Sequence, residues 1–472
     1  MQVDRPKQIS LSLLILCCAT TTVAAQTKPA PSASSMVQAL GPIVATPHST
    51  PWVELVGGPL AEVPQGAAQM RNGSLQVCGQ VVPLSGGLGD AWVTRMSPRG
   101  VVRWHLTMGG SARDEFAAMV PTPDGGSLLA GFTNSFGAGG EDGWLVKVGP
   151  KGKVQWQKTY GGVGDDQFTA LVPSPNGYYL GGSFGTATSG DDVWILEVDA
   201  LGAVLWQESL GGNKTDNLRS LVATPDGLAF VATSNSDFAK PSVPFGRPWL
   251  VKLDPEGAVL WQKSYSYSGG DAWGHLTALE DGGFLATGEI LYAAFFRGDA
   301  WVVRLDAAGD VLWDRRFGDN FGNLWWDSAI EAHETPSGGF LVAAITATVA
   351  PVFEDLWLIE LGPDGSFLGD RVLGGPAAEL VDSMIPLRSG GYLVSGSTSE
   401  HADALVMSLT AAGTTGPGCG LPEAHSAPNI WSGPVSIGVP TVTPTATTVV
   451  PVDSLASSTQ PVDQSVYLCE PE

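Results

Sequence analysis

The stretch Asp142-Gly-Trp144-Leu-Val-Lys147-Val-Gly-Pro-Lys-Gly152-Lys-Val-Gln-Trp156-Gln-Lys-Thr-Tyr-Gly161-Gly162 decides the fold, because its pattern returns along most of the chain. Trp92, Trp144, Trp194, Trp249, Trp301 and Trp357 begin successive copies, at differences of 52, 50, 55, 52 and 56 residues, and Leu405 holds the same place 48 residues further on. A period of about 50 residues with this strand chemistry is that of a β-propeller. Each unit reads as four strands: A from the acidic residue after the glycine pair, B after a Pro-Asp-Gly-Gly-like turn, C on the first tryptophan and D on the second. In the second unit these run near 114 to 122, 126 to 133, 142 to 149 and 153 to 159. Asp124-Gly125, Asn176-Gly177, Asp226-Gly227 and Asp281-Gly282 supply A-to-B hairpin turns. B strands start near Ser74, Gly126, Gly177, Leu228, Gly283, Gly339 and Gly391, so the expected fold is all-β, a seven-bladed propeller of four-stranded blades.

The ends of the repeat region complement each other. Trp52 precedes Gly57-Gly58 as Trp104 precedes Gly109, so it marks an outermost strand with no blade in front of it. Asp403 to Gly413 supplies a third strand with no fourth after it. Pairing the two in one blade closes the ring with the N-terminal strand and removes a free sheet edge. Twelve of the 16 tryptophans fall on the repeated C and D positions, where a large flat side chain fills the gap between neighbouring blades.

Composition agrees with one closed domain rather than several. Gly 61 and Pro 34 punctuate the 472 residues, and no sustained helical spacing follows the first 25. A formal net charge of -23, from 24 basic and 47 acidic residues, repels phosphate backbones and anionic membranes, which argues against nucleic acid and lipid-surface partners. Cations and neutral ligands stay open.

Outside the repeats, residues 1 to 25 carry Arg5 and Lys7, an apolar run from Leu11 to Ala19 and Val23-Ala24-Ala25, the arrangement of a cleavable signal peptide. Residues 26 to 50 form a Pro/Ala/Ser/Thr-rich linker, 51 to 413 the propeller, and 414 to 472 a Thr/Pro/Val-rich tail bracketed by Cys419 and Cys469. The expectation is a secreted monomer, extracellular, periplasmic or on the cell surface, with no membrane insertion once the leader is removed. In that setting Cys419 and Cys469 bridge and staple the tail, and Cys78 on a B strand is a buried free thiol.

Several motifs recur in order across residues 51 to 413: Gly126-Ser-Leu-Leu-Ala-Gly131-Phe-Thr-Asn-Ser-Phe-Gly137, Asp142-x-Trp144-Leu-Val-Lys147, Gly152-x-x-x-Trp156 and Gly161-Gly162-x-x-x-Asp166. They resemble the secreted bacterial and archaeal β-propeller repeat proteins, most of which have no assigned activity. Leu253-Asp254-Pro-Glu-Gly257-Ala-Val-Leu-Trp261 and Leu305-Asp306-Ala-Ala-Gly309-Asp-Val-Leu-Trp313 are similar to the tryptophan docking motif of quinoprotein-like propellers. That group includes cofactor-bearing dehydrogenases and non-enzymatic assembly scaffolds. The blade count, the missing Thr before Gly and the extra glycine pair depart from it, so no cofactor site is implied.

Each blade places an acidic or amide residue shortly after its glycine pair: Glu62, Asp114, Asp166, Asp216, Asp271, Asn323 and Glu379. These should ring the channel mouth on the face of the D-to-A and B-to-C loops. Each cap their own glycine-rich loop, or together they bind a cation, for which Ca²⁺ suits hard oxygen ligands. On the same face the B-to-C loops of blades four to six carry Phe245, Tyr292, Phe295, Phe296 and Phe353. The D-to-A segments beside them add Tyr267, Trp273, Phe321, Trp325 and Trp326. Aromatics confined to a few loops of a repeated scaffold mark a grafted binding surface for a glycan or protein, unless the loops bury them against each other.

Catalytic signals are sparse. Gly181-Gly-Ser183-Phe-Gly185 matches G-x-S-x-G but lies on a strand with no following helix. The histidines at 48, 105, 275, 333, 401 and 425 show no metal-binding spacing. His275 and Asp327, with Arg219 and Asp382, fall where they could face a wet channel. The reading is a non-enzymatic binding or scaffold protein, with no cofactor or with Ca²⁺, that takes its ligand on the loops of blades four to six. A polysaccharide lyase or glycosidase on the same scaffold, and a purely structural surface protein, are the alternatives.

Overall fold

The computed structural model describes residues 51–57, 60–83, 88–186, 190–236, 246–266, 271–292, 297–318, 326–347, 354–374, 377–399 and 403–415, with seven short strands between 423 and 467. The described residues form seven blades of four antiparallel strands in a ring, without helices. Blade two is typical, with strand A Asp114–Pro121, B Ser127–Thr133, C Asp142–Val148 and D Val154–Tyr160. Blade seven takes A, B and C from Glu379–Pro386, Tyr392–Thr398 and Ala404–Leu409, and its D strand is the N-terminal Trp52–Gly57. The seam pairs Trp52 with Ser408 through to Val56 with Ala404, so the ring closes as the sequence requires.

No blade buries its faces alone. The buried apolar side chains of the described residues fall into seven clusters, each shared by two adjacent blades, blades seven and one included. The C-strand tryptophans sit inside these seams: Trp144 is fully buried against Phe116, with ring centroids 5.0 Å apart, and Trp194 against Phe168 at 5.0 Å. The D-strand tryptophans lie further out and dock on the C-to-D turn of the following blade. The Trp104 indole N–H donates to the Pro150 carbonyl at 3.3 Å and Trp206 to Pro255 at 3.0 Å. Each ring lies flat against the turn's glycine, Gly152 at φ 78° and Gly257 at φ 91°.

Every A strand carries a β-bulge at one place, with the skipped residue Gln65, Ala117, Thr169, Arg219, Gly274, Ile330 or Asp382. A bulge bends the strand and re-aims a side chain. Opposite it the B strand needs a small residue, because a Cβ on Gly131 would stand 1.9 Å from the Glu115 carbonyl oxygen. The bulge residue falls three positions after the ring acid in six blades. In blade six, counting back from Ile330 leads to Asp327, not to the expected Asn323, which lies outside the described residues. The longer D-to-A connection of that blade shifts the spacing.

The tail joins the propeller's sheets. Seven short strands add a fifth strand to every blade, each antiparallel to the loop-side end of a D strand. In chain order they are Glu423–Ala424 on blade six, Asn429–Trp431 on five, Ser436–Gly438 on four, Thr445–Ala446 on three, Val452–Asp453 on two, Ser457–Ser458 on one and Gln464–Tyr467 on seven. Cys78 is buried and free, as expected, while Cys419 and Cys469 lie outside the described residues.

Docking of tryptophan on glycine can be separated from backbone strain. Gly257→Ala must adopt a positive φ and push on Trp206, where its Cβ would come within 2.8 Å of the ring, whereas Gly338 has φ 79° and nothing within 4 Å. Urea unfolding should show Gly257→Ala destabilised by at least about 1 kcal/mol more than Gly338→Ala. Equal losses would mean that the turn, rather than the docking, sets the requirement for glycine.

Candidate functional site

The bulges make the channel wall. Their seven side-chain positions line a cavity of about 940 Å³ on the ring axis, within the roughly 300 to 1,000 Å³ typical of ligand pockets. The repeated backbone delivers unequal chemistry. Blades one to three contribute Gln65, Ala117 and Thr169 at the bulge, with Glu115 beside them, whereas Arg219, His275, Glu289, Glu331, His333 and Asp382 all come from blades four to seven. His275, Arg219 and Asp382 therefore reach the channel as their strands suggested. Asp327 does not line the cavity; it is buried at the head of its strand.

Glu331 and His333, on the A strand of blade six (Ser328–Glu334), grip the A strand of blade seven. Glu331 Oε2 accepts from the Met384 amide at 2.8 Å, and His333 Nε2 donates to the Met384 carbonyl at 2.5 Å and contacts Glu331 Oε1 at 3.0 Å. Inner strand edges have no neighbouring strand, and side chains here satisfy the exposed backbone. His275 Nε2 stands 3.4 Å from the same Glu331 oxygen. Burial disfavours the Glu331 anion, but His275, His333 and the Met384 amide outweigh it and hold the carboxyl down to about 2. Burial also opposes charge on His333, yet Glu331 raises it overall, while His275 is lowered chiefly by burial.

A second group ties the channel to the loop face. Trp326 Nε1 donates to Glu289 Oε2 at 2.7 Å, and burial pushes the Glu289 carboxyl up to about 7 against the pull of Trp326 and Arg219. Asp382 is likewise raised to about 7 by burial, and its Oδ2 has no hydrogen-bond partner. Glu289 and Asp382 can donate and accept protons near neutrality, and together with His275 they can hydrogen-bond hydroxyls.

The acidic ring is present, and in blades two to four its carboxylates hold their own glycine-rich loops. Asp114 accepts from the Gly110 amide at 2.9 Å and from Ser135 Oγ at 2.7 Å, and also from Thr133; Asp166 accepts from Gly162 at 2.6 Å and Gly185 at 2.9 Å. Asp216 repeats the pattern with Gly212 and Ser236. The lone pairs a calcium ion would need are directed at loop donors, and no group of three or more His, Cys, Asp or Glu side chains among the described residues is gathered to hold a metal. Glu62, Asp271 and Glu379 are buried at the corresponding strand heads.

A partner acid escaped the sequence reading. Asp stands two residues before the C-strand tryptophan or its equivalent in six blades, as in Asp90-x-Trp92 and Asp142-x-Trp144, and in blades one, two, three, five and six it faces the ring acid of the next blade. A Cβ on Gly161 would meet Asp142 Oδ1 at 2.5 Å and Asp166 Oδ2 at 2.7 Å, which is why the glycine pair recurs. Burial, then the facing acid, raises Asp90 and Asp192 to about 6; burial with Glu379 raises Asp355 to about 7. Glu331 and His333 also went unread, since a bulge leaves no mark in the spacing, and so did Glu289, which reaches the cavity from the B strand Phe284–Tyr292.

Of the aromatic residues expected to bind ligand, Trp273 and Trp326 fall within the described residues, and Trp273 lies in the cavity wall. It is fully buried, 4.5 Å from Tyr265 and 5.5 Å from Trp301 between ring centroids, and packs the seam between blades four and five. Trp326 is half-buried and reaches the channel wall only through its hydrogen bond to Glu289. Phe245, Tyr267, Phe295, Phe296, Phe321, Trp325 and Phe353 lie outside the described residues.

These carboxyls set a pH dependence. Asp90, Asp192, Glu289, Asp355 and Asp382 bind protons more tightly folded than unfolded, so their contribution is full below about pH 4 and is lost as pH rises through 6 to 7. Glu331 acts oppositely, contributing above its unfolded value and losing that contribution as pH falls toward about 2. The urea midpoint should be higher at about pH 5 than at about pH 8, and Asp355→Asn should narrow the difference. A midpoint that rises over this interval would contradict the assignment.

No protein-family model matches the chain, and a search of curated proteins finds no match. The resemblance to secreted repeat propellers thus gains no support from sequence comparison. Among solved structures the chain is similar to the crystal structure of Sqt1 from Chaetomium thermophilum, at 10% identity and a TM-score of 0.39, covering 75% of this chain and 99% of that one.

Proposed function

We propose that the protein is a secreted binding protein that takes a glycan over the channel mouth, on the loop face of blades four to six. The observation that carries this reading is the 2.7 Å hydrogen bond from Trp326 to Glu289, which joins the aromatic D-to-A loop to the polar channel wall. Sugars are bound by ring faces that stack on C–H surfaces and by carboxylate, Arg and His groups that take hydroxyls. Arg219, His275 and Asp382 line the same side of the cavity. The net charge of -23 favours a neutral or cationic glycan over an anionic one. The leader-like residues 1 to 25 support secretion, the setting in which Cys419 and Cys469 would bridge.

A second reading, a polysaccharide-acting enzyme, draws on Asp382, whose carboxyl is raised to about 7 and lines the same cavity as His275 and His333. A glycan array of the parent chain against Trp326→Ala and Glu289→Gln, with and without calcium, tests the first. Both variants should bind at least about tenfold more weakly, the loss of roughly one buried polar or stacking contact. A parent that binds no glycan would sink the proposal and favour a protein partner. Cleavage of a bound polysaccharide that Asp382→Asn abolishes would replace it with the enzymatic reading.

A further inference from the structure

The fifth strands form a directed series. They visit blades six, five, four, three, two and one, against the direction in which the chain built those blades, and reach blade seven last. All run antiparallel to the D strand they cover and pair with its last residues, on the loop side. The first six make two or three residue pairs each. Gln464–Tyr467 makes four, Gly57 with Gln464, Val56 with Ser465, Leu55 with Val466 and Glu54 with Tyr467. Its partner, Trp52–Gly57, is the strand that closes the ring and is otherwise held in its sheet by Ala404–Leu409 alone.

We infer that the seven short strands between 423 and 467 are a belt that locks the closed propeller, with Gln464–Tyr467 as the clasp over its seam. The seam is where two distant parts of the chain meet without a covalent link, so it is the place where a propeller ring opens first. A strand at a sheet edge also exposes a row of unpaired N–H and C=O groups that another chain can extend. The clasp puts Trp52–Gly57 inside its sheet, and the other six strands cover the loop-side ends of the remaining outer strands with the protein's own chain. The sequence is prepared for this. Pro422, Pro428, Pro434, Pro444, Pro451 and Pro461 stand one to three residues before six of the seven strands. Proline fixes φ in the extended range and lowers the entropy lost when such short strands are ordered.

Two truncations and one cross-link test the belt. A chain ending at Gln460 lacks the clasp, and one ending at Thr415 lacks the whole belt. Hydrogen exchange should show residues 52–57 losing protection at least about tenfold in the first, with the D strands of blades one to six unchanged. In the second, the loop-side ends of all D strands should lose protection, and the protein should self-associate through its bared edges. In the full chain, Val56→Cys with Ser465→Cys should oxidise to a 56–465 disulfide, identified by peptide mapping, and should delay exchange at the seam. Unchanged protection of 52–57 without the clasp, or failure of the cysteine pair to link in a folded chain, would overturn the inference.

Discussion

The contact on which this molecule depends is a tryptophan of one blade lying against a glycine turn of the next. A four-stranded sheet with strands of about seven residues cannot cover its own apolar faces, so its stability resides in what it shares with its neighbours. Trp52, Trp104, Trp156, Trp206, Trp261 and Trp313 each meet the positive-φ glycine of the following blade, Gly100, Gly152, Gly202, Gly257, Gly309 and Gly365. The indole fills the outer part of the wedge between blades, and its N–H fixes the turn where a prolyl carbonyl is available. At the seam from blade six to seven, Gly369 replaces the tryptophan, and Arg371 donates to the Ala412 carbonyl at 2.7 Å instead. The N-terminal strand brings Trp52 to Pro98 of blade one, so the closing strand is fastened by the same device as the others.

A repeated scaffold acquires individuality where its repetition matters least for packing. The bulge of the A strand recurs in every blade because the backbone must bend toward the axis, and the small B-strand residue recurs because the bent strand lies on it. The residue on the bulge itself faces the channel rather than a seam between blades and is free to differ: Gln65, Ala117 and Thr169 on one side, Arg219 and Asp382 on the other. Titratable groups then collect on blades four to seven, beside the loops that depart most from the repeat. Two of them, Glu331 and His333, are also structural, since they satisfy the Met384 backbone on an inner strand edge.

The buried acids carry a cost that the fold accepts. Asp114, Asp166 and Asp216 hold glycine-rich loops through amide and hydroxyl donors, yet burial raises all three, and an acid from the preceding blade faces Asp114 and Asp216 closely enough to be raised as well. The glycine between each pair is the space that keeps the two carboxyls from displacing one another. A belt around the loop-side rim lies at the same level of the molecule as these junctions and covers the edges they leave.

The period of the tryptophans, the hairpin turns and the matching half-blades at the two ends were sufficient to establish from sequence alone a closed ring of seven four-stranded blades, because local pattern and ring closure are both written in spacing. Spacing also located the acids of six blades, and it went astray in blade six, where a longer connection moved the role from Asn323 to Asp327. Trp273 read as a loop aromatic and is a seam residue, since its exposure depends on which face of its strand meets blade four. The partner acids, the channel cluster of His275, Glu331 and His333 and the belt needed the tertiary structure. Their residues are tens to hundreds of positions apart, and what joins them is the bulge that turns side chains inward and the bared edge of each outer strand that short proline-led segments can fill.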